Sequence, residues 1–299
     1  NYVSPLLNVD ILIHLGEVSA DKARISIGEV WRVNEDGEIR NTYGKLAHVF
    51  EMSEEFFFKS YTPENFETRT NFYDACQEEL SEALSKLPEL PFSNVWMAQQ
   101  MHNRLPEGCQ FHMGIYNSLR SYNFYSLPKS VQTNCNVGGF GIDGGISTLI
   151  GASFANPDKL YLGVFGDLAF FYDMNVCGNR HVGNNVRILL VNNGKGNEFR
   201  NYGHYCSIFE EDGDKYIAAA GHYGNKSYNL VRHYAEDLGY EYCFAETKDD
   251  FLKNMEHFVN PKIGDKPMIF EVFTTTEDES NAIKIMRTFV AMRKYISND

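Results

Sequence analysis

No Cys-x-x-Cys pair occurs among the six cysteines of this 299-residue chain, which are scattered at positions 76, 109, 135, 177, 206 and 243. That scatter fits neither a zinc site nor a disulfide framework, and it predicts reduced thiols in a cytoplasmic protein. No apolar run approaches 18 residues, so no membrane-spanning helix is expected, and no signal peptide is visible. Lys and Arg number 27 against 40 Asp and Glu, a formal charge of −13, and the basic residues form no cluster. Nucleic acid and anionic membrane are therefore not expected as partners. Gly-x-Gly-x-x-Gly is missing after the first strand, and Gly-x-x-x-x-Gly-Lys-Ser/Thr is missing altogether, which argues against a nucleotide-binding domain. There is no internal repeat and no low-complexity segment. What the chain does have is 43% hydrophobic and 14% aromatic residues, ample for a packed core, and length for one large or two ordinary domains.

Strand and helix patterns alternate along it. Residues 10–16, 29–34 and 47–50 read as short strands, with a turn at Asp36-Gly37. Ser53 is placed to cap a helical turn over 54–58. From Pro63 onward Phe66, Phe72, Cys76, Leu80, Leu84 and Leu87 recur at helical spacing. Pro88 and Pro91 break the pattern, and Ser93 opens a helix through Met101. Strands are expected over 110–116, 160–165, 186–191, 241–245 and 267–273. Helices are expected over 144–155, 168–180, 228–238 (stopped by Gly239), 248–259 and 278–296. Such alternation predicts an α/β fold, a three-layer parallel sheet with right-handed crossovers and helices on both faces.

Two of those strands end on oxygen donors. The run 160–165 closes on Gly166-Asp167, and the run 186–191 closes on Asn192-Asn193-Gly194. Both runs are aliphatic enough to be buried parallel strands. Open α/β sheets bind ligands at the carboxyl ends of their strands. One carboxylate, Asp167, and one carboxamide, Asn193, suit a hard cation such as Mg²⁺, which keeps phosphate oxygens and water in its shell. A helix opening at Leu168 after Gly166 offers N–H groups to the same phosphates. Alone, Asn-Asn-Gly is a common turn; the joint spacing carries the reading.

That spacing resembles the Gly-Asp-Gly…Asn-Asn diphosphate motif of thiamine-diphosphate enzymes, with Leu168 in its third position. With the run Asn-Val-Gly-Gly-Phe-Gly-Ile-Asp-Gly-Gly-Ile-Ser-Thr over 136–148, Gly151-Ala-Ser and the run over 166–175, it is similar to one branch. This is the 2-succinyl-5-enolpyruvyl-6-hydroxy-3-cyclohexene-1-carboxylate synthases of menaquinone biosynthesis, where Gly-Asp-Leu is the usual form. The resemblance covers nearly the whole chain and is densest over 110–193. It implies a thiamine-diphosphate-binding domain over 63–299 preceded by part of an α/β central domain over 1–62. It also implies thiamine diphosphate and Mg²⁺ as cofactors, and a 2-oxoacid substrate that is decarboxylated before the acyl unit is released or transferred.

The same resemblance distributes roles. Asp167, Asn193 and the backbone carbonyl of Lys195 hold the metal; Gly166 and Leu168 belong to the diphosphate motif. Ile142 props the bent cofactor, and the Phe140 carbonyl accepts from the aminopyrimidine. Asn117 and Ser118 lie near the diphosphate, with Ser118 equally readable as a helix cap. No catalytic residue is assigned, because the family's activating glutamate sits on a pyrimidine-binding domain amino-terminal to everything present here. Cofactor sites in the family lie between subunits, so a homo-oligomer is expected. A start at Asn1 and a half domain at the front read as the carboxyl-terminal portion of a longer protein, inactive alone.

The match also departs from the family. Asn136-Val137-Gly138 stands where the family has Asn-Arg-Gly, whose arginine grips a substrate carboxylate bidentately. Arg120 comes two positions too early for a second family arginine, and Tyr122 takes its place. Gly196-Asn-Glu-Phe-Arg200 replaces Gly-Gly-Ile-Phe-Ser, which makes Arg200, Tyr202 and His204 candidates for shaping a different substrate pocket. Asp143 reads as the cap of the following helix or as a hold on its loop rather than as an acid, and His112, His181, His204 and His222 as non-catalytic. A 2-oxoacid decarboxylase of another pathway and a non-catalytic subunit that keeps the fold are the alternatives left open.

Overall fold

The computed structural model describes residues 4–16, 25–64, 71–137, 139, 141–219 and 227–296. Phe66, Phe140 and His222 lie outside them. The chain divides into two compact units, one of residues 1–88 with 286–299 and one of residues 89–285.

In the first unit β1 (Asn8–Leu15), β2 (Ser26–Val33) and β3 (Leu46–Phe50) pair in parallel in that order. The Ser53 hydroxyl caps α1 (Glu54–Tyr61) by accepting from the Phe56 amide, as the sequence predicts. Phe57 packs against Phe50 and Tyr61, each with ring centroids 4.9 Å away. Fully buried Arg32 is matched by Asp36 through two contacts, at 2.7 and 2.9 Å, and holds that carboxyl down at about 2. The helix α2 (Asn71–Ser85) buries none of its residues, so the apolar positions Phe72 and Leu80 face outward.

The second unit holds one six-stranded sheet. Its strands are β4 (Gln110–Met113), β5 (Gln132–Cys135), β6 (Tyr161–Gly166), β7 (Val186–Asn192), β8 (Glu241–Ala245) and β9 (Met268–Phe273). They run parallel in the order β5-β4-β6-β7-β9-β8. Its helices are α3 (Asn94–Met101), α4 (Asn117–Tyr122), α5 (Gly145–Ser153), α6 (Asp167–Asp173), α7 (Glu210–Ile217), α8 (Leu230–Asp237), α9 (Lys248–Phe258) and the first part of α10 (Thr276–Ile296), whose residues from 286 on belong to the first unit.

Strand side chains alternate between faces, and here both faces are covered. Phe165, Ile188, Leu190 and Ile269 pack with Ile146, Leu149 and Ile150 of α5, Phe170 of α6 and Val231 and Ala235 of α8. On the other face Phe270 stacks on Phe251 of α9 at 5.4 Å, and Phe111 meets Tyr122 of α4 at 4.8 Å. Arg187, 4% exposed on β7, caps the end of α9 by donating to the carbonyls of Phe258, Asn260 and Lys262. This is the expected three-layer parallel sheet.

The differences from the sequence reading are local. β4 ends at Met113 because the chain turns off the sheet before Asn117. The helix expected over 168–180 divides into α6 and a 3₁₀ segment, Met174–Gly178. α4 was anticipated only through the reading of Ser118 as a helix cap, and β5 and α7 were not foreseen.

The strand order places a topological switch between β4 and β6. From β4 the chain moves outward to β5, whereas from β6 it moves the other way to β7. A crevice opens at such a point beyond the strands' carboxyl ends.

Candidate functional site

A cavity of about 540 Å³ occupies that crevice. Its walls include Asn117 and Ser118 from the start of α4 and Gly166, Asp167 and Leu168 from the β6–α6 junction. Asn193 and Lys195 come from the loop after β7, and Ile142 from the segment before α5. Every residue singled out from the sequence for the cofactor or metal therefore borders one space, except Phe140, which falls outside the described residues.

Asp167 is 1% exposed at the tip of β6. One carboxylate oxygen accepts from the Leu168 amide at 2.7 Å, the other from the Gly194 amide on the neighbouring strand tip. That second bond is the direct tie between the two polar strand ends. It also means that the Leu168 N–H, expected to face a phosphate, is already engaged by Asp167. Gly194 takes φ +87°, a left-handed turn that suits glycine, immediately after Asn193. The two asparagines part company here. Asn192 is buried and donates to Glu271 on β9 at 2.6 Å, so it holds the sheet together, whereas Asn193 lies on the cavity.

The loop after Gly194 is held from outside. The Gly196 amide donates to the Ile217 carbonyl at 2.7 Å, and the Ala219 amide donates to the Gly194 carbonyl at 2.9 Å, so Lys195 sits opposite Ala218. The Lys195 amide reaches the Asn193 side-chain oxygen at 3.4 Å. Among the described residues no donor reaches the Lys195 carbonyl. Nor does any group of three or more His, Cys, Asp or Glu side chains converge as metal ligands. A divalent cation at the two strand tips would thus meet the Asp167 carboxylate with neutral oxygens, the donor set of a Mg²⁺ that also binds phosphate.

Other features suit a polar ligand. Asn94 and Asn197 border the cavity, and the side-chain oxygen of each is buried without a hydrogen bond, an acceptor that a ligand or water would satisfy. A Cβ built on Gly166 would meet no protein atom within 4 Å, so the missing side chain leaves cavity space. The backbone there, φ −73° and ψ 160°, is open to any residue.

Some functional candidates escaped the sequence. Tyr116 borders the cavity at φ +69°, a strained conformation for a large side chain, with the Arg120 guanidinium 5.5 Å from its ring centroid. Asn94, Tyr172, Glu198 and Phe199 also line it. Nothing in composition or spacing marks these positions, since they converge only through long-range packing. Arg120 pairs with Glu198, whose other oxygen is 3.4 Å from the Asn201 amide nitrogen; Asn201 in turn donates to Asn117 at 3.1 Å.

Several expectations need correction. Ser118 does not cap α4, whose cap position is Tyr116 with no side-chain bond. Of the two readings of Asp143 the helix cap fails, since the Ser147 amide of α5 donates to Asp173 at 2.6 Å; Asp143 lies in the loop before α5 and borders the cavity. Tyr122 is 2% exposed, with its hydroxyl on the Met101 sulfur, and belongs to the core. Arg200 is tied to Asp214, the His204 ring accepts from Cys206, and neither these two nor Tyr202 borders the cavity; Glu198 and Phe199 of the same segment do. His112 is buried on β4, and desolvation lowers it to about 4. All six cysteines are unpaired.

No family model matches the chain. The 2-succinyl-5-enolpyruvyl-6-hydroxy-3-cyclohexene-1-carboxylate synthase of Bacteroides fragilis is 34% identical over 259 residues, covering 86% of this chain and 44% of that protein. The synthase of the same name from Bacteroides thetaiotaomicron is 32% identical over 258 residues, with the same shares. Among solved structures, the thiamine diphosphate-dependent 4-hydroxybenzoylformate decarboxylase of Rhodococcus jostii RHA1 superposes with a TM-score of 0.61 at 14% identity. It covers 89% of this chain and 49% of its own, a likeness of fold. The chain spans under half the length of the curated relatives it matches. By sequence, then, the chain is similar along most of its length to the 2-succinyl-5-enolpyruvyl-6-hydroxy-3-cyclohexene-1-carboxylate synthases, and its fold is like that of a thiamine diphosphate-dependent decarboxylase.

Proposed function

We propose that this chain binds the diphosphate end of thiamine diphosphate through one Mg²⁺, as part of a 2-oxoacid-decarboxylating transferase or lyase of the synthase type named above. The observation that carries the reading is the pairing of a buried Asp167 with Asn193 and with a Lys195 carbonyl that no donor reaches among the described residues, on one cavity at the sheet's switch point. In this reading Asp167, Asn193 and the Lys195 carbonyl hold the metal, and Gly166 and Leu168 shape the diphosphate cradle with Asn117 and Ser118 beside it. Ile142 supports the thiazolium side, and the Phe140 carbonyl accepts from the aminopyrimidine. When bound, the cofactor supplies the carbanion chemistry of 2-oxoacid decarboxylation; the protein binds, orients and excludes water. Residues 63–299 form the cofactor domain and residues 1–62 part of a preceding α/β domain. A pyrimidine-binding domain or second subunit supplies the activating glutamate, in a cytoplasmic homo-oligomer. The chain alone should bind cofactor weakly and turn over nothing.

Calorimetric titration with thiamine diphosphate and Mg²⁺ tests this. Replacing Asp167 with Ala should weaken binding roughly 100-fold, about 2.8 kcal/mol, without unfolding the sheet. Equal binding by Asp167→Ala and the parent contradicts the proposal.

One observation favours a second reading, a decarboxylase for simple monocarboxylic 2-oxoacids. No arginine lines the cavity among the described residues, and its one lysine, Lys195, is held by Asp214. Such a lining disfavours a substrate with a second carboxylate. Assay of the longer protein with 2-oxoglutarate plus isochorismate against simple 2-oxoacids separates the two.

A further inference from the structure

The loop between Asn193 and the 3₁₀ segment Asn197–Arg200 is fastened by a residue that touches no part of the cavity. Asp214, on α7, takes the Lys195 ammonium on one carboxylate oxygen at 2.5 Å and the Arg200 guanidinium on the other at 2.7 Å. The three side chains are only 13, 21 and 19% exposed, so these pairs are poorly screened. Lys195 and Arg200 bracket Glu198 and Phe199, which line the cavity. One carboxylate therefore staples both ends of the segment that carries a candidate metal carbonyl and four wall residues, 196–199. The backbone cooperates: the Gly196 and Ala219 amides pair the loop with 217–219, and among the described residues no donor reaches the Lys195 carbonyl.

We propose that Asp214 is a positioning residue for the metal end of the cavity, holding the Lys195–Arg200 segment so that the Lys195 carbonyl is pre-arranged as a ligand. The proposal rests on the metal-diphosphate reading given above. A loop carbonyl is a good ligand only if its ordering is already established before the metal arrives. Asp214 does this from outside, and it draws the Lys195 ammonium onto α7, where it does not compete with the cation. Without the carboxylate, two partly buried cations face each other unmatched and the segment loosens.

Mn²⁺ uptake in the presence of thiamine diphosphate, followed by loss of the free-ion paramagnetic resonance signal, tests this on the chain as it stands. Asp214→Asn should weaken Mn²⁺ binding about 10-fold or more, the usual effect of removing an outer partner of a metal site. Asp214→Glu, which keeps both ion pairs, should recover most of the affinity, a rescue that simple loss of packing would not give. Should Asp214→Asn fail to fold, Lys195→Met removes one leg while leaving Asp214 matched by Arg200, and it should weaken Mn²⁺ in the same direction. A folded Asp214→Asn, or failing that a folded Lys195→Met, that binds Mn²⁺ as tightly as the parent overturns the proposal. No Mn²⁺ uptake by the parent overturns the underlying metal-diphosphate reading and this proposal with it.

Discussion

Glu279, 1% exposed near the start of α10, accepts from the Asn94 amide at 3.1 Å and from the Thr274 hydroxyl at 2.8 Å. It thereby anchors the first turn of α3, whose Asn94 side borders the cavity. Burial lifts this carboxyl from 4.5 to about 7 against the pull of those donors. The folded chain thus holds the proton more tightly than the unfolded chain. Stability from this group is fully present below pH 4.5 and is lost as pH rises through about 7. His112 acts in the opposite sense: its folded value of about 4 lies below 6.5, so its contribution is lost as pH falls through that window. Urea midpoints from pH 5 to 8 should therefore fall more steeply for the parent than for Glu279→Gln, the difference isolating Glu279. Parallel profiles would contradict this assignment.

At the scale of elements, three glycines trace to one ring. A Cβ on Gly163 of β6 would lie 2.4 Å from the Phe165 ring and 2.7 Å from Leu149 of α5. A Cβ on Gly145 would meet the same ring at 2.9 Å, and one on Gly114 at 3.2 Å. The ring is fully enclosed where β4, β6 and α5 meet, next to the cavity, and none of these atoms can retreat cheaply. Gly163→Ala should cost about 1–3 kcal/mol by overpacking, read from urea unfolding. A neutral substitution would show that the α5–β6 contact is looser than described.

That same layer explains what could be read in advance. β6 and β7 were legible because each is almost wholly buried and carries an apolar run, 161–165 in β6 and 188–191 in β7. β5 was not, because Gln132-Thr-Asn-Cys135 is a polar strand at the sheet's edge, with three exposed residues. α7 hides behind Glu-Glu-Asp-Gly at its start, which carries no apolar period. The strand-tip residues were legible since a strand's end fixes where its next residue emerges. Tyr116, Asn94 and Glu198 were not, because a positive φ and convergence across distant parts of the chain leave no local mark. The corrected caps share that cause: Asp173 reaches α5 from another helix.

At the scale of the whole molecule, the thiols and the helices can be set beside the sequence reading. The six thiols are unpaired; burial raises Cys109 to about 11 and Cys177 and Cys243 to about 12, which leaves them poor nucleophiles. No helix among the described residues is long and apolar enough to cross a membrane. The parallel sheet covered on both faces leaves its chemistry to the strand ends, and the switch between β4 and β6 gathers a carboxylate, a carboxamide and a loop carbonyl around one cavity. The account stands on those three oxygens sharing a single ion. Crystals of the chain grown with thiamine diphosphate and Mn²⁺ test it most directly, through the metal's anomalous signal. The account predicts one peak in coordination contact with an Asp167 carboxylate oxygen, the Asn193 side-chain oxygen and the Lys195 carbonyl, with diphosphate oxygens completing the shell; a peak elsewhere, or one that omits Asp167, would contradict it.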